Sequence, residues 1–207
     1  MNPCFSSFPE RPSLQPEVSS ANPLALSIRP ARPQDATDLA GLLADSFHSG
    51  QGLEHWVYPL IRLGIYEDLR YRLRAPAPHY ACFVALDRAT MDRDAKRFAG
   101  TVEIALRSVA SWPWGGSQHP YISNLAVAAE KRRRGVARQL LQACERQAWE
   151  WGFPDIYLHV LENNDRARRL YAKAGYQVRQ SECSWRSWLL GQPRRLLLHK
   201  SIRTSDR

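Results

Sequence analysis

The chain has 207 residues, 44% of them hydrophobic, which suits one domain with a sizeable core. No run approaches the roughly 18 apolar residues that a membrane-spanning helix needs. With 29 Lys and Arg against 20 Asp and Glu, the formal net charge is +9, a balance that favours anionic partners.

In chain order, residues 1–25 hold five of the fourteen prolines and many serines, without the hydrophobic periodicity that would offset ordering entropy. They read as a disordered extension ahead of a single domain over 26–203. The lack of an apolar segment argues against a secretory signal, and Glu10, Glu17 and a single arginine argue against an organelle transit peptide. Leu26–Pro30 reads as a short strand, and Pro33-Gln-Asp35 opens a helix carrying Leu39, Leu42, Leu43 and Phe47. A second helical pattern runs from Leu53 to Arg74, with Trp56, Leu60, Leu63 and Leu69 near one face. Tyr80–Leu86 and Phe98–Arg107 are β-rich and flank the charged turn Asp87–Lys96, which predicts a hairpin. Next come a strand at 121–127, a helix over 135–151 with Val136, Leu140, Cys144 and Ala148 facing inward, and a strand at 156–160. A helix over 165–174 and strands near 177–184 and 195–202 complete the order. Antiparallel strands followed by a β-α-β unit predict an α/β fold, a mixed central sheet flanked by helices.

Cys4, Cys82, Cys144 and Cys183 are scattered, with no paired spacing and no histidine partner motif. That excludes a zinc site or disulfide framework of the usual spacing, so no metal is expected. Cys82 and Cys144 read as small core residues, and reduced thiols fit a cytoplasmic protein.

The densest information lies between Tyr121 and Tyr176. The strand 121–127 leads into Arg132-Arg133-Arg134-Gly135-Val136-Ala137 at a helix start. Such a turn aims backbone N–H groups and the positive end of a helix dipole at one point, as a phosphate site requires. Alone, a basic turn is more often only solvated. Here Ile156–Val160 follows, then Asn164-Asp-Arg-Ala167, Leu170-Tyr171 and Gly175-Tyr176. Arg132, Gly135 and Ala137 match an Arg/Gln-x-x-Gly-x-Gly/Ala loop, and Asn164, Ala167 and Tyr171 an Asn-x-x-Ala-x-x-x-Tyr signature. In this order and spacing the block resembles the acetyl-CoA-binding core of the GCN5-related N-acetyltransferase (GNAT) superfamily. It is similar in particular to the cyanobacterial and plastid branch and to ribosomal-protein alanine acetyltransferases.

The resemblance implies the GNAT fold and direct transfer of an acetyl group from acetyl-CoA to a primary amine, a protein lysine or N-terminus first of all. It places the coenzyme against Leu125, Ala126 and Val127 of a splayed strand, and against Arg132, Arg133, Arg134, Gly135, Val136, Ala137 and Arg138 of the turn. Asn164, Ala167 and Tyr171 complete the set, although Asn164 also suits an ordinary helix N-cap. An alkyl amine with a pKa of about 10 must lose a proton before attack, and the leaving thiolate must regain one. The resemblance assigns the second task to Tyr171, whose ring could instead simply pack on the sheet. Many relatives carry a glutamate as base on one of the two central strands, and the ribosomal-protein alanine acetyltransferases that the block resembles have it twelve positions before that tyrosine, where this chain has His159. A histidine accepts a proton near neutrality, so the exchange is chemically sensible, with a packed core histidine as the plain alternative. Glu103 is the second candidate base, on a strand whose alternation could equally turn it to solvent.

The charge has a matching account, because Lys131–Arg134, Arg138 and Arg166–Arg169 lie beside the two coenzyme motifs. Arg70, Arg72, Arg74, Arg194 and Arg195 read as a solvated face. Nucleic-acid binding would need basic residues interleaved with stacking aromatics on one surface. Trp112 and Trp114 in one loop and Trp185 and Trp188 in another suggest an acceptor-binding wall or, equally, cover for a sheet edge. A non-catalytic coenzyme-binding regulator is a further class, raised by the absent glutamate. The expected setting is cytoplasmic, with the plastid stroma as destination if residues 1–25 serve as a transit peptide.

Overall fold

A computed structural model describes residues 26–47, 58–75, 77–87, 98–108, 118–182 and 193–202. Strand β1 (Leu26–Pro30) pairs antiparallel with β2 (Tyr80–Asp87), and β2 with β3 (Phe98–Arg107), as the hairpin pattern predicts. Strand β4 (His119–Val127) lies antiparallel to β3 and parallel to β5 (Asp155–Leu161). Beyond β5 the order swaps, with β7 (Arg195–Ser201) beside β5 and β6 (Gln177–Glu182) at the edge. Seven strands thus run in the order β1-β2-β3-β4-β5-β7-β6.

Alternation along the strands builds two apolar layers. On one face Phe83, Ala85 and Ile122 pack against helix α3 (Val136–Glu150), whose Val136, Leu140, Cys144 and Ala148 are all buried as the sequence predicts. On the other face Cys82, Val84 and Leu86 meet α1 (Ala36–Phe47) and α2 (Tyr58–Arg74). Cys82 and Cys144 are free and buried. Helix α4 (Asp165–Lys173) buries Tyr171 against the α3 layer.

Gly100 on β3 sets how closely α3 approaches. A Cβ there would stand 2.8 Å from the Ala126 carbonyl oxygen and 3.0 Å from side-chain carbons of Leu140 and Val136. The start of α3 therefore rests directly on the β3–β4 ladder, which is how the phosphate-type turn comes to sit at the end of β4.

Helix α2 departs from its expected face. Leu69 is buried, but Leu60 and Leu63 are 72% and 55% exposed. The inward side is instead Ile65, Tyr66, Leu69 and Leu73, a spacing of three and four that the apolar residues of the first turns mask. Residues 1–25, the first part of the expected second helix and both tryptophan-bearing loops lie outside the described residues.

Candidate functional site

The site begins where two strands part. Strands β4 and β5 pair only at Tyr121↔Tyr157 and Ile122↔Leu158. Beyond Ile122, β4 stays with β3 up to Gly100↔Val127, while β5 stays with β7 up to Leu161↔Arg195. The β3–β4 register slips between Thr101 and Glu103, so Asn124 and Leu125 together oppose Val102, and Asn124 takes a left-handed φ of 52°. This bulge turns β4 away from β5. A cleft of about 280 Å³ opens there, with Leu125, His159, Tyr171, Tyr121, Asn124 and Arg195 among its walls.

Glu103 holds the bulge. It is 2% exposed; Asn124 Nδ2 donates to its Oε1 at 2.9 Å and Arg72 Nη1 to its Oε2 at 2.6 Å. Arg72 also donates from Nε to Asp68, so α2, β3 and β4 are joined through one buried carboxylate. Glu103 does not line the cleft, whereas its partner Asn124 does. Arg72 is accordingly half-buried and committed to this network, and Arg195 borders the cleft. Neither belongs to a merely solvated face.

The turn before α3 lies at the end of the splayed strand. Gly135 is the N-cap of α3 at φ 79°, and Arg133 is also left-handed at φ 66°. Among the described residues no side chain caps the helix, and the amides of its first turn, which have no intrahelical acceptor, could take an anion. A Cβ at Gly135 would meet nothing within 4 Å, so the ground above the turn is open. Arg132, Arg133, Arg134 and Arg138 are exposed around it, and Arg132 Nε also donates to the Val127 carbonyl at 3.2 Å. Lys131 pairs at 2.6 Å with Asp87, itself 1% exposed, which pins the turn to the end of β2 and commits that cation.

On the far wall, Asn164 caps α4, its Oδ1 accepting from Ala167 N at 3.1 Å. Ala167 packs on the α3-side core, and its small side chain brings the helix close. Tyr171, one turn further on, is 8% exposed and lines the cleft. Burial pushes its phenol up to about 12, with neighbouring Tyr121 adding to the rise.

His159 stands between two groups. Its Nδ1 lies 2.9 Å from the Tyr121 hydroxyl, and its Nε2 lies 3.0 Å from Glu182 Oε1. Burial pushes the imidazole below its ordinary value; Glu182 counters this, while Arg195 and Arg107 reinforce it. His159 is therefore neutral at pH 7 and able to take a proton. The sequence reading missed Tyr121, Asn124, Arg195 and Glu182. A period-two reading sets Tyr121 and Ser123 on one face of β4, but only the β4–β5, β5–β7 and β6–β7 registers carry Tyr121 and Glu182 to the histidine.

The profile of the Acetyltransferase (GNAT) family matches residues 51–176, more than half of the chain. The chain belongs to the GNAT family. Among curated proteins, GCN5-related N-acetyltransferase 10, chloroplastic, of Arabidopsis thaliana is 31% identical over 76% of this chain and 64% of its own length. GCN5-related N-acetyltransferase 7, chloroplastic, of the same plant is 41% identical over 41% of this chain and 31% of its own length. The chain thus spans less than two thirds of either relative. Among solved structures, Arabidopsis thaliana NAA60 in complex with acetyl-CoA superposes with a TM-score of 0.64 at 18% identity, covering 86% of this chain and 98% of that one. That likeness shows the fold, which is the GNAT fold: a mixed sheet flanked by helices. Among the described residues no cluster of metal-ligating side chains occurs, and no helix is long and apolar enough to cross a membrane.

Proposed function

We propose that this GNAT chain is an acetyl-CoA-dependent N-acetyltransferase acting on a protein amine, a lysine side chain or an N-terminus. The observation that carries the reading is the splayed β4–β5 cleft, lined by a buried tyrosine and a neutral histidine, with the uncapped start of α3 following β4 in the chain. Acetyl-CoA fits these residues: exposed arginines and first-turn amides suit its phosphates, and β4 backbone freed from β5 suits its amide-bearing arm. The cosubstrate supplies the thioester, an acyl carbon already activated for attack.

The chain supplies the rest. Backbone groups at Leu125, Ala126 and Val127 hold the arm along the parted strand, and an N–H there stabilises the oxyanion that develops on the carbonyl. His159, directly or through a neighbour, takes the proton that the attacking amine must lose. As the C–N bond forms and the C–S bond breaks, Tyr171 donates a hydrogen bond to the departing sulfur. A thiol titrates at about 8.5, so a phenol near 12 does not yield its proton fully. It remains a protonated donor at every working pH, and the thiolate takes its proton by way of that contact and solvent. In this reading Glu103 is a holder of the β4 bulge and His159 is the base.

The chloroplastic names of the relatives support a plastid setting, and nothing in them supports the cytoplasmic expectation. The test is to incubate the purified protein with labelled acetyl-CoA, a peptide panel and a small-amine panel, then locate the acetylated nitrogen by mass spectrometry. Label on a lysine or N-terminal nitrogen is expected. Label on small amines alone, or tight acetyl-CoA binding with no transfer, would contradict the reading.

A further inference from the structure

His159 is faced from five elements: by Tyr121 of β4, Glu182 of β6, Arg195 of β7, Arg107 of β3 and, across the cleft, Tyr171 of α4. Glu182 is the only carboxylate among the facing groups just named. Its placement depends on the β5-β7-β6 strand order, in which Glu182 pairs with Arg195 and so reaches over β7 to the histidine. The carboxylate stands 3.0 Å from Nε2 but off the ring N–H axis, so its influence is that of a nearby charge more than of a formed hydrogen bond.

That charge discriminates between the two neutral forms of the ring. If Nδ1 carried the proton, the electron-rich Nε2 would stand 3.0 Å from a carboxylate oxygen, negative beside negative. If Nε2 carries it, its positive hydrogen lies beside the carboxylate charge, off axis, and Nδ1 is left to accept from the Tyr121 hydroxyl at 2.9 Å. The tyrosine oxygen, whose own proton then points at the histidine, lines the cleft with the Arg195 guanidinium close beside it.

We propose that Glu182 is a positioning residue for the transfer: it fixes the proton of His159 on Nε2, so that Tyr121 and His159 act as a two-step acceptor for the amine proton. The amine N–H proton passes to the Tyr121 oxygen while the Tyr121 proton passes to His159 Nδ1. The phenol is restored neutral, and the ring becomes an imidazolium beside the Glu182 charge. Deprotonation by solvent resets the ring. The amine lone pair released in this way forms the bond to the acyl carbon. The proposal rests on the reading of His159 as the base.

The test compares rate against pH for wild type, Glu182→Gln, Glu182→Asp, His159→Gln and Asp155→Asn, with acetyl-CoA and peptide saturating and chemistry limiting. Asp155 is the control, since it pairs at 2.6 Å with the buried His199, which does not line the cleft. Losing the carboxylate leaves the imidazolium less favoured, so the acid limb of Glu182→Gln should move to lower pH by about one unit. The plateau kcat should fall by about tenfold or more, because a weaker and misoriented base takes the proton. The KM for acetyl-CoA should hold, Glu182→Asp should lie between wild type and Glu182→Gln, and Asp155→Asn should match wild type. Because Glu182→Asp keeps the charge on the same edge strand, its intermediate limb separates positioning from a folding defect. An unmoved limb in a folded Glu182→Gln protein overturns the proposal. A His159→Gln enzyme that retains the limb overturns instead the underlying reading of His159, whatever Glu182→Gln shows.

Discussion

Single hydroxyls and carboxylates in and beside the cleft can each be removed with little change of shape. Tyr171→Phe keeps the ring packed beside Tyr176, 6.0 Å away between centroids, and deletes only the hydroxyl, the proposed donor to the leaving sulfur. The turnover number should fall by about one to three orders of magnitude while acetyl-CoA affinity measured by calorimetry stays within a factor of a few. Wild-type turnover with chemistry limiting would make Tyr171 a packing residue. Glu103→Gln separates holder from base. The variant leaves Arg72, with about a third of its side chain exposed, without its buried partner and loosens Asn124. Thermal unfolding should show a loss of about 1–3 kcal/mol, discounted for Arg72's solvent contact. The acid limb of the rate profile should be unchanged. Loss of the limb in a stable Glu103→Gln protein would transfer the base role to Glu103.

At the scale of elements, two glycines on either side of the start of α3 have opposite duties. Gly135 stands over open ground at φ 79°, so valine there strains the turn locally and occupies the space a phosphate would use. Acetyl-CoA affinity should fall by tenfold or more, about 1.4 kcal/mol of binding, because the side chain fills that space, while the left-handed valine should also cost about 1–2 kcal/mol of stability. Gly100→Ala instead drives a methyl against the Ala126 carbonyl and α3, and should lower stability by about 1–3 kcal/mol. Calorimetry and thermal melts on both variants check the contrast; equal effects on both quantities would dissolve it. These local features were legible in the chain itself, because the Arg132–Ala137 turn and the Asn164–Tyr171 helix start each lie within a few residues of sequence. The inner face of α3 was legible for the same reason. The face of α2 was not, since Leu60 and Leu63 look like core residues by periodicity and end exposed. The Glu182–His159–Tyr121 contacts were not legible either. They join three strands through a parallel register and a swapped edge order, neither of which leaves a short-range mark.

Across the whole molecule, the net charge of +9 is explained in part by the arginines around the α3 turn, which remain exposed, while Lys131, Arg72 and Lys200 are committed to Asp87, Glu103 and Glu145. Binding that leans on exposed cations should weaken as the screening length shrinks from about 10 Å at 0.1 M salt to about 3 Å at 1 M. Acetyl-CoA affinity should therefore drop by several fold over that range by titration calorimetry, and an affinity indifferent to salt would remove the arginines from the site. The most direct measurement of the account is the pH dependence of acetyl transfer at saturating amine in wild type and His159→Gln. Burial lowers the histidine below its ordinary value of about 6.5, so the wild-type rate should rise through an ionisation below that pH and level off above it. In His159→Gln, which keeps similar bulk, activity should be strongly depressed and that limb absent. A stable His159→Gln enzyme with near wild-type activity and the same limb would contradict the assignment of proton transfer to this cleft.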